Sequence, residues 1–169
     1  MTNNREQANV IVDSLRMSER DLMRLLAQIV ARDGARTETN NARRADLERA
    51  ITESTGLPRT LVRICHPRGN CTTYLVKPRD IHTDGFVFLH GAFVHLGAEC
   101  SMLVRARAGQ PTQLSAKVID CRHVSGRVHE VVASFDQPIR LEDYMLGDQE
   151  ADDRCTMFRG FQGPSAAGV

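Results

Sequence analysis

Residues 114–135 read LSAKVIDCRHVSGRVHEVVASF. Two runs lie within them, Leu114 to Val124 and Val128 to Phe135, joined at Ser125-Gly126. Apolar and polar side chains alternate along these runs, and alternation sends every second side chain to one face of a strand. A dipeptide containing glycine between two such runs is the signature of a tight β-hairpin. Upstream of this pair the chain is broken at Gly109-Gln110-Pro111, and Cys100 to Arg105 forms another strand candidate opened by Gly97. Phe86 to Leu89 is a short apolar run after Gly85. Thr60 to Cys65 and Thr72 to Val76 flank the turn residues His66-Pro67-Arg68-Gly69-Asn70. Short β-branched segments separated by turn residues predict an all-β unit. About six such strands ending in a hairpin suit a small antiparallel barrel, which removes exposed sheet edges by closing on itself.

Outside the β unit the pattern changes. Leu22, Leu25, Leu26, Ile29 and Val30 recur at helical spacing. Ser18 with Asp21 three residues on resembles a capping box with Asp in place of Glu, and Gly34 is a stop just past the stripe. Val10, Ile11, Val12 and Leu15 either extend this helix or form an earlier turn of it. The helix either packs on the barrel or pairs with a partner, including a second copy of the chain. Asp33 to Asn41 reads as a linker. A second helix follows over residues 42–55, with Leu47 and Ile51 on one face, and is closed by Gly56 and Pro58. At the other end, Leu141 to Leu146 reads as a short closing helix, and residues 147–169 read as a flexible tail. The expected organisation is a helical extension over 1–57, a β-barrel domain over 58–146 and that tail. The fold class is mainly β: a six-stranded antiparallel barrel preceded by N-terminal α-helices.

Composition bounds the function. Of the 169 residues 41% are hydrophobic and 25% charged, which permits a packed core, and the net charge of +1 gives no field for bulk attraction to nucleic acid or membrane. Positive charge is carried by arginine, with lysine only at Lys77 and Lys117. No apolar run is long enough to span a bilayer, and the N-terminus has no secretory pattern, so the expected location is cytoplasmic. Cys65, Cys71, Cys100, Cys121 and Cys155 show no C-x-x-C spacing and are expected to be reduced thiols acting as small hydrophobes. His66, His82, His90, His95, His123 and His129 lack the short spacings of a structural zinc site. His123 and His129 flank the hairpin turn and are expected to face each other. Neither a nucleophile loop nor an orienting third group accompanies the Cys-His pairs, so the chain is not expected to be an enzyme. Aromatic residues make up only 5%, which is poor for a barrel that stacks bases of a nucleic-acid polymer.

The stretch VKPRDIHTDGFVFLHGAFVHLGAEC (residues 76–100), followed by SAKVIDCRHVSGRVHEVVASFDQPI (residues 115–139), resembles a PilZ domain. The resemblance covers about half the chain and is carried by the whole run, including Phe88-Leu89-His90-Gly91 and Cys121-Arg122-His123. PilZ domains are receptors for the bacterial second messenger cyclic di-GMP. The resemblance therefore implies a signalling module in which [D/N]-x-S-x-x-G contacts the ligand on the barrel rim and an R-x-x-x-R pair contacts it from the segment before the barrel. Here the rim motif reads Asp80-Ile81-His82-Thr83-Asp84-Gly85, with histidine at the serine position. By position the arginine counterparts are Arg43, Arg44 and Arg49, whose spacing differs from the family's and whose setting reads as helical. The R-x-x-x-R spacing itself occurs at Arg59 and Arg63, of which Arg63 lies inside the first strand candidate, and at Arg16, Arg20 and Arg24. The residues implied to bind cyclic di-GMP are thus Arg43, Arg44, Arg49, Asp80, His82 and Gly85, with no metal and no other cofactor. The physical fit is direct: guanidinium groups grip phosphates in bidentate fashion and stack on bases, and a carboxylate can read a guanine edge. Two readings follow, a cyclic di-GMP receptor or a degenerate relative that has lost the nucleotide and acts as an oligomerisation or adaptor module through its helices.

Overall fold

The computed structural model of the chain describes residues 10–34 and 56–145. In order they form β1 (Ile11–Asp13), α1 (Glu19–Gly34), β2 (Thr60–Cys65), β3 (Cys71–His82), β4 (Gly85–His90), β5 (Glu99–Ala106), β6 (Pro111–Ser125), β7 (Val128–Phe135), a 3-10 turn (Leu141–Asp143) and β8 (Tyr144–Met145). Six strands make a closed antiparallel ring in the order β3-β2-β5-β6-β7-β4, with β4 returning to β3. The ring closes because β3 is long enough to serve two neighbours. Its first half pairs with β2, from Cys71 opposite Cys65 to Val76 opposite Thr60. Its second half pairs with β4, from Lys77 opposite Leu89 to His82 opposite Gly85. A bulge between Pro78 and Asp80 separates neighbouring register positions there. Proline has no N–H for a ladder, and a bulge is one of the few places where a strand tolerates it.

Alternation builds the interior as the strands predict. Val62, Ile64, Val76, Phe88, Val118 and Val131 are among the side chains that fill the barrel, each at most 1% exposed. Phe86 stacks on Phe88 with ring centroids 5.3 Å apart and tilts against Phe135 at 5.4 Å. These contacts tie β4 to the end of β7 from inside.

A second apolar cluster lies outside the barrel wall. Leu22, Leu25, Leu26 and Ile29 of α1 pack on Leu89, Val124 and Val128. The helix begins where the sequence predicts. The Asp21 N–H donates to Ser18 Oγ at 3.2 Å, and the Ser18 hydroxyl donates to Asp21 Oδ2 at 2.7 Å. Its last turn is tied down by Arg32, whose guanidinium donates to the Val124 carbonyl at 3.1 Å. Covering Leu89 and Val128 is what gives α1 its place, since an isolated helix of 16 residues is marginal in water.

Several expectations are corrected. Ile11 to Asp13 is not helix but strand, running parallel to β3 with Ile11 opposite Thr73 and Asp13 opposite Leu75. It occupies the edge of β3 that β4 leaves open. β-branched side chains suit that position, and Ile11 packs beside Leu61 and Leu103. Cys65 and Cys71 are not reduced thiols. The hairpin register sets them opposite each other, with Cα atoms 4.0 Å apart, and they form a disulfide. The return strand does not end at Val76 but continues to His82, because the barrel can close only if one strand reaches both neighbours. The segment from Leu141 is a 3-10 turn only to Asp143, after which Tyr144 pairs with Ala106 of β5. One helix, α1, precedes the barrel among the described residues. The helix expected over 42–55 and the tail over 147–169 lie outside the described residues.

Candidate functional site

The β3–β4 hairpin carries the motif singled out in the sequence. His82 pairs with Gly85 across a two-residue turn, Thr83-Asp84. Ile81 turns inward against the barrel core, so Asp80 and His82 share the outer side of β3. Both are open to solvent, with side chains 69% and 50% exposed, and His82 Nδ1 lies 3.6 Å from Asp80 Oδ2. The turn is held from below. The Phe135 N–H donates to the Asp84 carbonyl at 2.8 Å and the Ile139 N–H to the Thr83 carbonyl at 2.8 Å. Gly85 has a structural reason of its own: a Cβ there would lie 2.2 Å from the Ala133 carbonyl oxygen of β7. The close approach of β4 to β7 therefore requires glycine whether or not a ligand is bound.

Beside Asp80 lies an ionic cluster that joins three strands to the helix. Glu130 of β7 is buried, its side chain 6% exposed, yet it is a carboxylate. It accepts a hydrogen bond from Arg79 of β3 and another from Arg122 Nε of β6 at 2.6 Å. Asp33, in the last turn of α1, lies over the same two guanidinium groups. Arg79 donates to Asp33 Oδ2 at 3.3 Å, and Arg122 donates to Asp33 Oδ1 and Oδ2 at 3.3 and 3.4 Å. Burial pulls the Arg79 guanidinium below its ordinary value, while Asp33, and more weakly Asp80, pull it back. Arginine keeps its proton regardless, so the cluster is a set of fixed charges.

The remaining candidates serve structure. Arg59 donates to both carboxylate oxygens of Asp13 at 3.2 Å and to the Met17 carbonyl at 3.2 Å, which fixes the passage from β1 to α1. Arg63 sits in β2 opposite Thr73 and Ser101. His123 and His129 do face each other across β6 and β7, with ring centroids 5.4 Å apart. His90 is buried, with Ser14 Oγ 2.5 Å from its Nδ1 and Tyr74 edge-on at 4.7 Å. Burial lowers its pKa to about 4, helped by His129 and His66. Burial pushes the Cys100 thiol up to about 12 and also raises Cys121, so neither is a thiolate at neutral pH. Among the described residues no group of three or more His, Cys, Asp or Glu side chains is arranged to hold a metal. A cleft of about 540 Å³ runs between the start of β6 and the segment Asp136–Arg140, and one of about 350 Å³ lies between the start of α1 and the β6–β7 turn. Neither includes Asp80 or His82, whose side chains are exposed.

Of the residues expected to bind a ligand, the structure brings Asp80, His82 and Gly85 onto one hairpin. Arg43, Arg44 and Arg49 lie outside the described residues. The sequence reading missed Arg79, Arg122, Glu130 and Asp33 as a unit. A faint signal existed, since Glu130 is a charge set in an otherwise apolar strand run and must find partners. Those partners lie 8 and 51 residues away, and Asp33 lies 89 residues from Arg122. Comparison with protein-family models, with curated proteins and with solved structures gives no match to this chain.

Proposed function

We propose that this chain is a PilZ-like, non-catalytic signalling module that binds cyclic di-GMP on the outer face of the β3–β4 hairpin. The observation that carries the reading is the pairing of Asp80 and His82, exposed side by side on β3, next to the guanidinium of Arg79. A carboxylate there can accept from a guanine edge, an imidazole can donate or stack, and arginine can meet a phosphate. Arg43, Arg44 and Arg49, from the segment before the barrel, are the further arginines proposed for the ligand. Titration calorimetry with cyclic di-GMP tests the proposal: the wild type gives a saturable signal and Asp80→Ala loses at least tenfold in affinity. No heat at high micromolar protein sinks it.

A second reading is favoured by one feature. Phe93 and Leu96, next to β4, and Ile119 of β6 are 53%, 63% and 59% exposed, and large apolar side chains left open to solvent suit an adaptor that acts through protein contacts. In that reading His82 fills the place of a ligand. His82→Ser discriminates: affinity that arises only in the variant supports the adaptor.

A further inference from the structure

We propose that Arg79 and Arg122 are a phosphate-binding pair on the barrel wall, and that the Asp33 carboxylate occupies it in the resting protein. An anionic ligand and the end of α1 then compete for the same two guanidinium groups. The inference rests on the reading above for the identity of the ligand, cyclic di-GMP, and assigns its phosphate contact to residues other than Arg43, Arg44 and Arg49.

Three observations carry it. First, the geometry is that of a gripped oxyanion. Arg79 and Arg122 come from different strands, yet both donate to Asp33 Oδ2, at 3.3 and 3.4 Å. Two guanidinium groups converging on one planar carboxylate present donors in the arrangement that phosphate oxygens also accept. Glu130 beneath them engages both and holds them in place, so the pair is built before any ligand arrives. Second, the charges fit. Arg79 and Arg122 supply two positive charges, which face the carboxylates of Glu130, Asp33 and, more weakly, Asp80. With Asp33 withdrawn, the two guanidinium groups lose one negative charge, and the single charge of a phosphodiester replaces it in kind. Third, Asp33 is an awkward anchor. It lies in the last turn of α1, one residue before the helix ends at Gly34, where the helix dipole is negative and disfavours a carboxylate. Its side chain is 36% exposed and that of Arg122 40%, against 15% for Arg79 and 6% for Glu130, so Asp33 is the solvent-facing carboxylate of the cluster and the replaceable one. Arg79 also precedes Asp80 directly, which sets the pair next to the proposed base-reading side chains. Release of Asp33 would loosen the end of α1, and this is how binding would be passed on.

The test is the affinity of the full chain for cyclic di-GMP in four proteins: wild type, Asp33→Asn, Asp21→Asn and Arg122→Gln. Asp33→Asn removes the competitor with no change of shape and is expected to bind three- to tenfold more tightly. Asp21→Asn removes the same charge from the first turn of α1, at a residue 57% exposed and away from the cluster, and is expected to match the wild type. Arg122→Gln is expected to bind at least tenfold more weakly. If the wild type binds but Asp33→Asn is no tighter, or Arg122→Gln is no weaker, the pair is overturned while the Asp80–His82 reading stands. If neither wild type nor Asp33→Asn binds, both are overturned.

Discussion

A carboxylate whose side chain is only 6% exposed, as Glu130 is, survives because two guanidinium groups meet it. Removing one partner of such a buried ionic pair leaves an uncompensated charge, at a cost of roughly 3–5 kcal/mol. Glu130→Ala is therefore expected to lower stability in urea unfolding by about that much, while Asp21→Asn on the exposed end of α1 changes it little. Gly85 is constrained more simply. A Cβ placed 2.2 Å from the Ala133 carbonyl must push β4 off β7. Gly85→Ala should lose about 1–3 kcal/mol, the usual range for overpacking a tight site. His90 gives a pH dependence of definite sign. Its folded pKa of about 4 lies below the ordinary 6.5, so the unfolded chain holds more protons between those values. The neutral imidazole contributes its full share of stability above pH 6.5, and that share is lost as pH falls toward 4. The loss is on the order of 3 kcal/mol. The His90 ring resonance followed by NMR should titrate near 4, and a midpoint near 6.5 would contradict the burial argument.

At the scale of elements, α1 is bound to the barrel by its apolar stripe and by the polar contacts of Arg32 and Asp33 in its last turn. Leu26, fully buried against the barrel wall, should cost about 2–5 kcal/mol when cut to alanine. Loss of hydrogen-exchange protection in Glu19–Gly34 ahead of the barrel strands would locate that cost in the helix. The β2–β3 hairpin is closed by Cys65–Cys71, and the paired Cys65→Ser, Cys71→Ser variant should unfold about 2 kcal/mol earlier from the lost loop constraint. These elements also show what could be read in advance. The stripe from Leu22 to Val30, the Ser18 cap and the strands Thr60–Cys65 and Val128–Phe135 were legible because periodicity and turn residues are local signals. β1 was not, since three residues have no period of their own and its partner in β3 is some 60 residues away. The disulfide was hidden for a related reason. Its spacing matches no common motif, and only the hairpin register sets Cys65 opposite Cys71.

At the scale of the molecule, one long strand makes both the barrel and its candidate face. β3 passes from β2 to β4 between Val76 and Lys77, and from the Pro78–Asp80 bulge just beyond to the hairpin tip it carries Arg79, Asp80 and His82. The closed ring could be anticipated from the count and spacing of the β segments. The rim motif was visible as a short pattern. The ionic cluster beside it was not, because it gathers side chains from β3, β6, β7 and α1. The proposed function requires that a cyclic dinucleotide settle on this face and nowhere else on the barrel. Hydrogen exchange on the full chain, with and without saturating cyclic di-GMP, tests that most directly. The account predicts slower exchange of the backbone amides across residues 79–85. Unchanged exchange there, or protection confined to the segment Phe93–Leu96, would contradict it.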